Sequence, residues 1–144
     1  MEKDILHKEI DLIQDMIKRM AANSFLLKGW LISLVAVILA LTKESILTPH
    51  NAGLYLILLF PVGIFWYLDA YFLQMEKRYR KLFDWVVTNR LAGNNEQLYN
   101  LNHLRFKDQV GSLISIMFSQ TLAAFYLIPV AFLLLLLAIS FLKK

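Results

Sequence analysis

The residues of this 144-residue chain best suited to chemistry are cations. Lys77, Arg78, Tyr79, Arg80 and Lys81 set four positive charges and an aromatic ring side by side, and Arg90, Arg105 and Lys107 follow. Such a cluster is suited to phosphate, which has two sources. Anionic lipid headgroups are the usual partners of basic segments beside a membrane span. The alternative is a nucleotide or oligonucleotide, with phosphates on Arg78, Arg80 and Lys81 and a base stacked on Tyr79 or Trp85. Arg90, Arg105 and Lys107 lie too far along the chain to be explained by headgroups alone. The candidate phosphate-binding set is therefore Lys77, Arg78, Tyr79, Arg80, Lys81, Arg105 and Lys107.

Catalysis finds little to work with. Asn94, Asn95, Gln97, Tyr99, Asn100, Asn102 and His103 form a hydrogen-bonding surface without a nucleophile. There is no cysteine, so thiolate chemistry, disulfides and cysteine-ligated zinc are excluded. Asp11 and Asp15 stand four apart, as carboxylates on a water-facing helix commonly do. No Gly-rich phosphate loop, Ser-centred elbow or metal-binding helix motif occurs. The reading is a protein that is not an enzyme and needs no cofactor or metal.

A third feature is the small-residue stripe Gly111, Ser112, Ser115 and Ser119, continued by Gln120 and Thr121. Steps of three and four put these on one face if the segment is helical. Small residues let helices approach closely in lipid. Hydroxyls and amides also suit the lining of a water-filled path. Ser112, Ser115, Ser119 and Gln120 are therefore candidates for a pore lining or a packing face.

The elements that must position these groups are membrane helices. Hydrophobic residues make up 58% of the chain and charged ones 18%, an apolar share above that of soluble domains. Residues 110–142 run 33 positions without a charge, well beyond the roughly 20 a bilayer requires. Three spans are predicted, at 25–42, 52–73 and within 110–142, where an amphipathic lead-in precedes a core at 121–142. Lys28 lies inside the first span and is expected to extend its stem toward the headgroups, with Trp30 as an interfacial anchor. Pro61 predicts a kink in the second, and Asp69, among Trp66, Tyr67 and Tyr71, is expected to mark the membrane exit. The N-terminus lacks the pattern of a signal peptide, so insertion is expected to rely on the retained spans.

Orientation follows from Lys and Arg. Residues 1–28 hold five and 74–109 hold seven, against Lys43, Lys143 and Lys144 elsewhere. This bias predicts a cytosolic N-terminus and middle segment, an external loop at 43–51 and an external C-terminus.

Two amphipathic stripes adjoin the spans. Leu6, Ile10, Ile13, Ile17 and Met20 step by four and three, as do Leu68, Phe72, Met75, Tyr79, Leu82 and Val86. The second span is therefore expected to continue as a helix beyond the membrane until Ala92, Gly93, Asn94 and Asn95 turn the chain. Residues 96–107 suit either a helix or irregular chain. One chain offers few apolar surfaces to cover both stripes. The seam at Leu6, Ile10, Ile13, Ile17 and Met20 is thus assigned to assembly of a homo-oligomer of three or more copies in the lipid bilayer.

This layout resembles the SLATT-like transmembrane effectors of bacterial nucleotidyltransferase-linked anti-phage defence, of the Hailong or CBASS type. The likeness spans 16–90. It rests on Lys18 and Arg19 before Asn23 and Ser24, two closely spaced spans, the run Leu68, Asp69, Ala70, Tyr71, Phe72 and Leu73, and the segment from Glu76 to Phe83. The resemblance implies a channel-like effector of the inner membrane. It also implies gating by an oligonucleotide or cyclic nucleotide made by a partner nucleotidyltransferase; in the Hailong type that signal is an oligodeoxyadenylate that restrains the channel. The third span departs from the class, and with no separate sensor domain a signal would bind the helices themselves. The expectation is an all-α, multi-span, oligomeric pore with a cytosolic helical extension. The alternative is a non-conducting anchor or scaffold for a soluble partner enzyme.

Overall fold

The computed structural model describes residues 2–41 and 52–142. Among these the regular secondary structure is all helical, with no strand. Helix α1 spans Glu2–Leu41 and α2 spans Ala52–Leu91, each of 40 residues. A 3-10 helix, His103–Gln109, leads to the short α3, Leu113–Met117, and to α4, Gln120–Leu142. Three helices are long and apolar enough to cross a membrane.

Length divides the molecule into two layers. Forty residues of α-helix rise about 60 Å, twice the roughly 30 Å of hydrocarbon, whereas the 23 residues of α4 rise only about 34 Å. So α1 and α2 are long enough to cross a bilayer and continue beyond it, whereas α4 is long enough only to cross. The span layer holds α1, α2 and α4; the extension holds the first half of α1, the last half of α2 and the 3-10 helix. Central to both is α2, on which α1, the 3-10 helix, α3 and α4 all pack.

Each layer has its own core. Leu31, Tyr55, Leu58, Val62, Ala70, Leu122, Tyr126, Leu133 and Leu136 are buried together in the span layer. In the extension Ile13 and Met20 of α1 meet Tyr79, Leu82 and Val86 of α2 under Phe106, with Ile10, Ile17, Phe72 and Met75 packed around them. This corrects the reason for assigning the α1 seam to assembly. The two stripes cover each other within one chain because both lie on helices that extend side by side, and Phe106 closes the remaining side. Ile10, Ile13, Ile17 and Met20 therefore have partners without a second copy.

Local signals explain where the helices stop. Gly93 adopts φ 77°, Asn94 N–H donates to Asn89 C=O at 3.0 Å and Gly93 N–H to Arg90 C=O at 3.0 Å. These two bonds are a Schellman motif, which glycine closes without steric cost. Helix α2 runs on through Pro61. Residues 96–102 are irregular and 103–109 form the 3-10 helix, started by the Asn102 side chain accepting from Leu104 N–H at 3.0 Å. The lead-in to the third span is not one helix. Ser112 caps α3, its Oγ accepting from Ser115 N–H at 3.2 Å, and the chain breaks at Phe118 and Ser119 before α4 begins. The serines expected to form one face thus fall on a cap, on a short helix and in a break. The loop at 43–51 and the terminal lysines lie outside the described residues.

Candidate functional site

Three polar centres are buried along α2, and the basic surface is arranged around one of them. The first lies inside the span layer. Asp69 is fully buried and accepts hydrogen bonds from Ser24 Oγ, from Lys28 Nζ at 2.5 Å and from Tyr126 OH at 3.0 Å. Ser24 Oγ in turn accepts from Lys28 Nζ at 2.9 Å, one helical turn away. The ammonium also stands 5.9 Å from the Phe125 ring centroid. Trp66 stacks on Tyr126 with ring centroids 5.8 Å apart and ties α2 to α3 through Nε1 donating to Met117 C=O at 2.9 Å. The expectation for the Lys28 side chain is corrected here. Lys28 turns inward instead of stretching toward the headgroups, and Asp69 is a buried junction where α1, α2 and α4 meet. Each charge is held by the other and by fixed hydroxyls, the arrangement that makes buried charge affordable.

The second centre lies at the far end of the extension. Arg90 Nε and Nη2 donate to Glu9 Oε2 and Oε1 at 2.9 and 3.0 Å, a two-pronged pair almost wholly withdrawn from solvent. Arg90 Nη1 reaches back to the carbonyls of Asn94 and Glu96 at 2.6 and 3.0 Å. Tyr99 N–H donates to Glu9 Oε1 at 3.0 Å from a residue at φ 57°. The left-handed backbone there is offset by the charge-assisted bond that it makes possible.

The third centre is at the junction of the layers. Gln74 Nε2 donates to Gly111 C=O at 2.9 Å, which fixes its amide so that Oε1 accepts from Arg78 Nη2 at 2.8 Å. Beside it the His103 ring lies 4.8 Å from that of Tyr79. Burial, and then the Arg78 charge, hold the His103 imidazole below its ordinary pKa, and burial pushes the Tyr79 phenol up.

This geometry divides the predicted phosphate-binding set. Arg78 and Tyr79 are buried. Arg80 is exposed but gives Nε and Nη2 to Glu76 Oε1 at 2.9 and 2.6 Å. Lys77, Lys81, Arg105 and Lys107 remain exposed. Arg105 lies over the Trp85 ring at 4.5 Å, which joins the 3-10 helix to α2 beside a shallow groove of about 290 Å³ lined by Lys81, Trp85, Phe106 and Gln109. Among the small residues, Ser115 and Gln120 are exposed and the Ser119 hydroxyl is buried without a partner. Sequence reasoning passed over the Lys28 and Asp69 pair and the Glu9 and Arg90 pair. The first left a signal: one base in the first span, one acid in the second, of opposite sign and both toward the same end.

No group of three or more metal-ligating side chains occurs among the described residues. The architecture is that of an all-helical membrane protein with three candidate spans. No protein-family profile matches the chain, and no curated protein and no solved structure is significantly similar to it.

Proposed function

We propose that this chain is the subunit of a homo-oligomeric channel in the bacterial inner membrane. Its extension is cytosolic, and a nucleotide or oligonucleotide signal gates it in anti-phage defence. The observation that carries the reading is mechanical. Helices α1 and α2 pass without a break from the spans into the extension, and Lys28 and Asp69, the charged side chains of the span layer among the described residues, pin the same two helices together. A polyanion bridging Lys77, Lys81, Arg105 and Lys107 would hold the extension in one arrangement. Rigid helices would carry that bias to the spans. A single copy turns Lys28 and Asp69 toward each other and leaves Phe25, Trp30, Ile32, Ile57, Phe60 and Ile128 outward. A water path therefore requires three or more copies, meeting through their span faces since the heptad stripes are already occupied.

A non-conducting scaffold is the second reading. It is favoured by the apolar groove at the tip of the extension, lined by Ile5, Leu6, Leu91 and Leu98. Liposome flux separates the two. Purified protein in vesicles should leak ions, and oligodeoxyadenylates should change the leak. The variant Lys77→Glu, Lys81→Glu, Arg105→Glu should leak without responding. Absence of conductance in every condition removes the channel reading and leaves the scaffold.

A further inference from the structure

Buried charge does not balance at the junction of the two layers. Glu9 and Asp69 are the buried carboxylates among the described residues, and each has its own cation, Arg90 and Lys28. Arg78 is only 9% exposed and has no carboxylate partner among the described residues. Its guanidinium donates to the neutral amide oxygen of Gln74, and its Nε is buried without an acceptor. His103 Nδ1, in the same neighbourhood, is also buried without a partner. A guanidinium withdrawn from water without a counter-ion is among the costliest arrangements a protein can hold. The nearby acid Glu76 is committed to Arg80, and Asp84 and Asp108 are exposed.

We propose that Arg78 and His103 form a receptor for one phosphate group, with Lys81 at its mouth. Arg78 and Lys81 lie three apart on α2 and share a face with Gln74 and Trp85. The groove lined by Lys81, Asp84, Trp85, Phe106 and Gln109 opens at the Lys81 and Trp85 end of that face. A phosphate oxygen would accept from Arg78 Nε, and another from His103, while Gln74 keeps the guanidinium oriented. Depth makes a membrane phospholipid the natural donor of that group. Gln74 contacts Gly111 just before α3, where Ile114 and Phe118 are still exposed and apolar. Arg78 stands four residues, about 6 Å, further along the helix, and a headgroup layer is about 5 to 8 Å deep on each side. A free phosphate ion shares the chemistry and is the other source. The inference concerns a buried site and does not require the chain to conduct.

The three histidines make the test specific. Full-length protein labelled at histidine, purified in a phosphate-free sugar detergent and stripped of lipid, is titrated by NMR alone, with inorganic phosphate, and in nanodiscs of phosphatidylglycerol. A phosphate against His103 stabilises its imidazolium, so its titration midpoint should rise by about one pH unit or more, with His7 and His50 as internal references. A rise in nanodiscs alone identifies a lipid headgroup, and a rise with inorganic phosphate alone identifies a soluble ligand. Phosphorus analysis of gently purified protein should find about one phosphate retained per chain in the lipid case. Arg78→Gln should lose both the rise and the retained phosphorus. An unmoved His103 midpoint in both arms, or an Arg78→Gln variant with wild-type rise and retention, overturns the proposal. If that variant does not fold, the wild-type titration alone decides.

Discussion

The span layer and the extension each hold one buried ion pair between α1 and α2, and the two pairs are built in opposite sense. In the span layer the base is on α1 and the acid on α2; at the tip the acid is Glu9 on α1 and the base Arg90 on α2. Nineteen residues separate Glu9 from Lys28 and twenty-one separate Asp69 from Arg90, about 29 and 32 Å along antiparallel helices. One alignment of the helices therefore satisfies both pairs, and a slip of one heptad would place neither. The apolar stripes alone would tolerate such a slip, since their repeat is the same at every heptad. The charges supply the register that the stripes leave open. The supporting partners also differ. Within the spans, hydroxyls from Ser24 and Tyr126 complete the shell of Asp69, whereas at the tip backbone groups of the 94–99 loop complete those of Glu9 and Arg90.

The comparison can be broken most severely at Asp69. Asp69→Leu leaves Lys28 without its anion, and since that ammonium is 27% exposed the expected loss is about 2 to 4 kcal/mol. Denaturant unfolding in detergent measures it. Adding Lys28→Met should restore most of the loss, because an apolar pair needs no desolvation. A double variant no better than the single one would show that Asp69 acts through something other than this pair.

At the tip, Glu9→Gln removes one charge but keeps an oxygen for Tyr99 N–H, with an expected cost of about 2 to 3 kcal/mol. The effect should be local. Hydrogen exchange is expected to speed up in residues 94–99 and the first turns of α1 while the span layer keeps its protection. Equal acceleration in both layers would mean that they unfold as one unit.

The smallest effect concerns His103. Its folded-state pKa lies below the ordinary 6.5, so the unfolded chain binds the extra proton. Stability from this group is present above about pH 6.5 and is lost as pH falls below it, toward the folded-state value. In phosphate-free buffer the extension should lose thermal stability as pH falls below about 6.5, and His103→Gln should flatten that part of the profile.

The three apolar segments, the continuation of α2 as one helix past its apolar half and its end before Gly93 were legible because each depends on local composition, on helical periodicity or on one residue's backbone freedom. The α1 stripe was legible as a stripe, but its partner was not, since a heptad seam looks the same whether it meets a neighbouring helix or another chain. The candidate site was less legible. Lys77, Lys81, Arg105 and Lys107 remain a basic surface as expected, but Arg78 and Tyr79 are drawn inside by the returning 3-10 helix, and Arg80 is taken by Glu76. The serine steps predicted one face only on the assumption of a continuous helix, and the cap at Ser112 removes that assumption.

What the sequence alone determined is therefore the three long helices, each with a stretch apolar enough to enter a membrane. The tertiary structure decided which charges are buried and with whom. Ser24 and Lys28 meet Asp69 across more than forty residues, Tyr126 joins them from the third span, and Glu9 meets Arg90 across eighty-one. Periodicity places a residue on a face within a few turns of its own helix. Only the packing of one helix on another fixes what that face meets.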